Sequence, residues 1–433
     1  MNTMSTTAST HSAAILHQKT GWSVVIAGVG INLVLGVLYS WSVLSKKIPA
    51  GWNWTEADRS MPYSVACLVI SIAMVPAGRM QDRFGPRLVA TIGGLLGGAG
   101  LILASFSNTP FNYTLGFGVL VGAGVGFAYS STTPAAMKWF PASRTGLIAG
   151  IVIGAYGLAS VYIAPLAETL INRYGVPTTM FWLGLGLLCG VTGLAQFLKV
   201  PPAGHRPEAA QPLAEGVPAT TADFTPYEVL LTWQFYALWF LYACGSGAGL
   251  MIISKLAKMV DVQAGLKPGF FLVACLALGN GSGRFLAGAI SDKIGRHATL
   301  FACFLMLAAL IFLLSLAKAG NSLGTMSALI VLSTLIGATY GANLSLFPSI
   351  TKDFYGMRHF GTNYGLLFTS WGLSGFVFSL LAGRAYDLTK TFAFAYESSV
   401  SLLLAAAAVI FLVPPPRHPQ HEPLSVSERK LIP

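Results

Sequence analysis

GRMQDRFGPR, residues 78–87, returns as GAISDKIGRH, residues 288–297, a step of 210 positions from Gly78 to Gly288. Both copies obey one pattern, GxxxD[RK]xG, and each lies between a second and a third apolar run. Ser45-Lys46 recurs as Ser254-Lys255, and Pro134, Lys138 and Phe140 recur as Pro348, Lys352 and Phe354. Three matches in one register, at offsets of 209 to 214, mark a duplicated unit far longer than the repeat of any solenoid.

The unit is made of apolar runs of membrane length. Runs lie near 21–45, 61–80, 88–106, 113–137, 146–171 and 178–199, then 232–254, 269–290, 298–317, 323–350, 362–385 and 393–413. Each matches the ~20 residues a helix needs to cross a ~30 Å hydrocarbon layer. The polar, Pro/Ala-rich stretch 200–227 divides them six and six. The expected organisation is an N-terminal tail (1–20), a six-helix half (21–199), a linker (200–227), a second half (228–413) and a C-terminal tail (414–433). Parallel six-span repeats with a site between them near the midplane resemble the all-α major facilitator fold.

Composition agrees. Hydrophobic residues make up 54% of the 433 positions and charged residues 9%, against roughly 25% charged in a soluble domain. The 48 glycines suit membrane helices, whose backbones approach closely at small residues. A net charge of +11 could suggest nucleic acid, but the cations sit one to three at a time between runs. Placing both termini in the cytoplasm puts fifteen Lys and Arg inside and ten outside, which the positive-inside rule favours. The five cysteines fall in or beside apolar runs without CxxC pairs or histidine partners, so they read as small apolar filler and no metal or other cofactor is expected. No cleavable leader is visible ahead of the first run, which is expected to target the membrane itself. Asn53-Trp54-Thr55 and Asn112-Tyr113-Thr114 match the glycosylation sequon, a pattern short enough to arise by chance.

In the repeated motif, Gly78 and Gly288 would let a neighbouring helix pack closely, and Asp82 and Asp292 could meet helix N-terminal amides or cations. Arg83, Gly85 and Arg87, with Lys293, Gly295 and Arg296, complete the two copies. The basic residues alone could serve as an orientation signal; a latch between helices would use the glycines and acids as well.

One cation stands apart from the connections. Arg284 lies eight residues before Asp292, about 12 Å along a helix at ~1.5 Å per residue, and so inside the bilayer. A mid-span arginine costs at least ~2.5 kcal/mol on insertion scales, which makes it a site candidate. The middle portions of the twelve runs hold no Asp or Glu, so its counter-ion is expected to arrive as an anion, and a guanidinium fork suits a carboxylate. A backbone carbonyl, or an acid lying deeper than these run boundaries place it, is the alternative partner. Asn280 lies one turn earlier on the same face, among Gly279, Gly281 and Gly283, which leave the backbone open to a ligand or another helix. Asn32, Tyr39, Tyr129, Tyr156, Tyr340, Asn343, Phe368 and Trp371 are the other mid-span candidates; each aromatic taken singly is more often packing than ligand contact, and their value is collective. The span matching Arg284's in the first half has no cation, so an anion should bind off-centre, held mainly by the second half.

TPYEVLLTWQFYALWFLYACGSGAGLMIISKLA (225–257), NGSGRFLAGAISDKIGR (280–296) and GTNYGLLFTSWGLSG (361–375) resemble the oxalate/formate antiporter family and the related monocarboxylate transporters. The resemblance spans nearly all twelve runs. It implies that Arg284 binds a substrate carboxylate and that the GxxxD[RK]xG motifs act as latches broken during alternating access. It also implies a bacterial inner-membrane protein. The oxalate antiporter has a lysine where Trp371 stands, and animal monocarboxylate transporters have an aspartate, implicated in proton coupling, where Asn280 stands. One cation balances one carboxylate. A monomeric symporter of a small monocarboxylate, lactate or pyruvate in type, with a proton is therefore expected, and oxalate/formate-type exchange is the alternative. A carboxylate sensor would need an appended signalling domain, and no nucleophile–base pair, metal cluster or phosphate loop points to an enzyme.

Overall fold

The computed structural model describes residues 3–202, 223–266 and 271–417, which are helical with no strand among them. Among the described residues, ten helices are long and apolar enough to span a membrane. One of these, Thr145–Ala195, is two helices joined at Gly175, where φ is 77°. Phe360–Thr389 is a further 30-residue apolar helix, which completes twelve.

The spans are α1 (Thr3–Leu35), α2 (Glu56–Phe84), α3 (Pro86–Ser105), α4 (Pro110–Met137), α5 (145–174) and α6 (176–195). They continue as α7 (Trp233–Ala264), α8 (Phe271–Ile294), α9 (Arg296–Ser315), α10 (Met326–Tyr355), α11 (Phe360–Thr389) and α12 (Ala393–Val409). α1 runs through a 3-10 stretch, Gly36–Ser40, into a last turn at Trp41–Leu44, and α4 contains a π segment, Thr114–Val121. Most of the expected linker and C-terminal tail lie outside the described residues, and the short helix Pro226–Leu231 straddles the expected boundary at 228.

Several helices overrun their apolar runs. α10 and α11 hold 30 residues each, about 45 Å at ~1.5 Å per residue, because a helix end must be satisfied by caps that lie outside the hydrocarbon. Thr55 and Asp58 form a capping box at the start of α2, and Thr325 caps α10. The repeated motif is thus not a loop. Its first residues are the last turns of α2 and α8, and only Gly85 and Gly295, at φ 85° and 91°, make the turn into α3 and α9. That region of φ excludes most other residues.

Large apolar side chains such as Ile26, Ile72, Leu95, Trp182, Phe285 and Phe312 are exposed on the outer faces of the bundle, as a protein solvated by lipid requires. The halves meet where α2 packs on α11 and α5 on α8. Glycine sets both crossings: a Cβ at Gly150 would lie 2.5 Å from the Arg284 carbonyl oxygen, and one at Gly365 would lie 2.6 Å from that of Met74. Gly279 and Gly283 face Thr334 and Ala338 of α10, while Gly281 faces Leu158 and Gly157 of α5. The glycines around Asn280 therefore serve neighbouring helices, the second of the two uses open to them.

Candidate functional site

Between the halves lies a cavity of about 30 Å³ lined by Tyr39, Ile70, Val125, Tyr129 and Tyr156 of the first half. Arg284, Tyr340, Leu344, Phe368 and Trp371 line it from the second. Its walls are shared evenly, so the expectation of a site held mainly by the second half applies to the charge alone. At roughly 10–15 Å³ per water it has room for about two waters, and anything larger enters only as the aromatic walls part.

Arg284 is 2% exposed. Its Nε donates to Asn280 Oδ1 at 3.0 Å, and one terminal nitrogen donates to the Ile153 carbonyl of α5 at 2.8 Å. The guanidinium carbon stands 5.9 Å from the Tyr156 ring centre, a cation–π distance, and the Tyr39 hydroxyl is close enough to interact with it. The backbone-carbonyl alternative is therefore realised in part, and it ties α8 to the opposite half. No carboxylate among the described residues pairs with the guanidinium.

The aromatic candidates form one continuous wall. Tyr39 and Tyr156 lie 5.3 Å apart between ring centres, Tyr156 and Tyr129 5.4 Å, Tyr129 and Phe368 5.9 Å, and Phe368 stacks on Trp371 at 5.1 Å. The Trp371 indole donates to the Tyr340 hydroxyl at 3.0 Å. Asn32 and Asn343 are not brought to this cavity. Asn32 donates to Gly28 and Thr132 inside the first half, and Asn343 donates to Thr339 inside the second. Ile70, Val125 and Leu344 were invisible as candidates, because an aliphatic residue in an apolar run carries no chemical signal.

The repeated motifs meet the opposite half on one face of the bundle. Asp82 accepts from the amides of Gly361 and Thr362 at 3.0 and 2.8 Å and from the Thr362 hydroxyl at 3.1 Å. Asp292 accepts from the amides of Gly146 and Leu147 at 3.0 and 2.7 Å. Each acid thus caps a helix, α11 or α5, whose N-terminal amides carry partial positive charge. Gly78 lies against Gly361, and Gly288 against Gly146, too close for any side chain.

The copies differ in their cations. Arg296, 4% exposed, pairs with Asp292 at 2.7 Å and Asp353 at 3.2 Å and donates to Thr145 across the interface at 3.3 Å. Lys352 adds an ion pair to Asp353 at 3.2 Å. Arg87 instead donates to Gln196 within its own half at 2.7 Å, and Arg83 and Lys293 are exposed. Gly78, Asp82, Gly288, Asp292 and Arg296 therefore cross the interface. Thr145 and Asp353 were missed because their partners are distant in sequence.

Residues 23–271 and 260–433 match the Major Facilitator Superfamily. The chain is 27% identical over 350 residues to the oxalate:formate antiporter of Oxalobacter formigenes, covering 80% of each chain. It is 26% identical over 405 residues to monocarboxylate transporter 13 of Bos taurus, covering 91% of this chain and 89% of that one. The fucose:proton symporter of E. coli shares the fold with a TM-score of 0.67 at 13% identity, over 90% of this chain and 98% of that one. Duplicated six-helix halves, glycine-set crossings between them and a match over almost the whole length lead to one conclusion: the chain is a multi-pass membrane transporter that belongs to the major facilitator superfamily.

Proposed function

We propose that this transporter carries a small monocarboxylate, lactate or pyruvate in type, together with a proton by alternating access. In this reading it sits in a bacterial inner membrane with both termini cytoplasmic and works as a monomer. The observation that carries the reading is Arg284, a buried cation on the cavity wall whose hydrogen bonds to Asn280 and Ile153 go to neutral oxygens.

A carboxylate entering the cavity offers the guanidinium a charged acceptor, and charge-assisted bonds are roughly twice as strong as neutral ones. It therefore competes with the Ile153 carbonyl for the Arg284 nitrogen and loosens a tie between α8 and α5. Binding also neutralises the arginine, which lowers the cost of closing a dry cavity around it. One cation matches one carboxylate, and the Phe368–Trp371 stack with Val125, Ile70 and Leu344 suits a short organic tail. Asn280 cannot carry a proton. The proton would travel on the carboxylate or on another group.

In liposomes, an inside-alkaline pH gradient should drive uptake of labelled lactate. Indifference to the gradient removes the proton. Exchange of one carboxylate for another is the second reading, favoured by the similarity to an antiporter. Counterflow from preloaded vesicles without a pH gradient, at a rate that the gradient does not change, would establish it instead.

A further inference from the structure

The second half completes its latch with its own chain. Lys352 and the adjacent Asp353 close around Arg296 and Thr145. Carried back by the repeat's own offsets, Lys352 corresponds to Lys138, Asp353 to Trp139 and Arg296 to Pro86. The first half thus keeps the lysine and lacks the acid. Trp139 is buried, with its indole donating to the Lys199 carbonyl at 3.0 Å, so nothing acidic can stand there.

An acid from the linker docks just before the start of α11. Asp223 Oδ1 accepts from the amides of Met357 and Arg358 at 2.9 and 3.0 Å, in the connection between α10 and α11. The next residue anchors it. Phe224 is 1% exposed, lies edge-on to Tyr355 at 5.5 Å, donates to the Tyr355 carbonyl at 3.0 Å and accepts from the Asn363 side chain at 3.1 Å. The start of α11 is therefore gripped twice, by Asp82 from the first half and by the linker end. Lys138 senses both acids: burial lowers its pKa, while Asp82 and then Asp223 raise it.

We propose that Asp223 is a positioning residue of the first half's latch, the acid supplied by the linker where the second half uses Asp353. The inference rests on reading the latches as a gate. It makes the linker end part of that gate, so that opening this face must either carry residues 223–224 along with α11 or separate Asp223 from Lys138.

The test needs no substrate. Nitroxides at Lys199→Cys and Leu412→Cys, with the five native cysteines replaced, report the distance between halves on the latch face by pulsed electron resonance. Asp223→Ala should raise the open-to-closed ratio about tenfold, the worth of one charge-assisted bond. Lys138→Gln should raise it too, but add less in the Asp223→Ala background than alone. An unchanged distribution in Asp223→Ala, with Asp82→Asn still opening the face, overturns the proposal, as does full additivity with Lys138→Gln. If neither Asp82→Asn nor Asp292→Asn moves the distribution, the gate reading itself falls and this inference with it.

Discussion

α2 and α8 occupy the same place in their two halves, yet only one of them carries charge to the centre. Both cross to the opposite half at a glycine that meets a backbone carbonyl, Gly365 on Met74 and Gly150 on Arg284. A step of 210 residues carries Ile70 to Asn280 and Met74 to Arg284. The duplicated backbone has kept its crossings, while these side chains have diverged, from isoleucine to a neutral amide and from methionine to a cation. A pair of crossings can rock symmetrically. Under the proposed function a substrate carboxylate needs one partner, and a second buried cation would add its own insertion cost.

The same divergence recurs at the repeated motifs. The α8 copy builds an ion network of Asp292, Arg296, Asp353 and Lys352, whereas the α2 copy relies on amide bonds to Asp82 and has Pro86 where Arg296 would stand. Pro86 suits the first turn of α3, where its missing N–H is no loss, but it forfeits the clamp.

The comparison can be broken at three levels. Arg284→Met copies the α2 residue into α8, and it should abolish both carboxylate uptake and any rise in melting temperature on adding lactate. The unliganded protein should melt no lower, since a mid-span cation costs at least ~2.5 kcal/mol to insert. A ligand response that survives would detach Arg284 from the site.

Next in size is the contrast between latches. Arg296→Leu removes the cation shared by Asp292 and Asp353, leaving Asp292 only its two amide donors, and should destabilise the contact between the halves on this face by about 3–5 kcal/mol, as the loss of one partner of a buried pair does. Asp82→Asn, which keeps one acceptor toward the α11 amides, should cost only about 1–3 kcal/mol. Inter-half distances under denaturant or heat would rank them, and equal losses would show that the ion network adds nothing.

The smallest expected difference concerns the crossings. Gly150→Ala and Gly365→Ala each force a methyl against a carbonyl and should each cost about 1–3 kcal/mol, as overpacking does. Thermal unfolding of the two variants should agree within about 1 kcal/mol. A larger gap would mean that the halves no longer share one interface geometry.

Much of this was legible in one dimension. Apolar runs of bilayer length, a repeat near 210 residues and a lone mid-span arginine follow from residue type and spacing, because lipid requires helices to satisfy their own backbones and makes any buried charge conspicuous. Tyr39, Tyr129, Tyr156, Tyr340, Phe368 and Trp371 were named as candidates on the same grounds, and they meet around one cavity. Asn32 and Asn343 carried the same signal, but they turn into their own halves. Only the tertiary structure could separate these cases, because the direction of a polar side chain on a buried helix depends on which neighbour it meets. It alone decided that Arg284 bonds to a carbonyl of the opposite half, that Gly279 and Gly283 pack against α10, and that Asp223 docks in the connection before α11. Each of these is a contact between residues far apart in the chain, set by how twelve helices pack and by no local preference of any one of them.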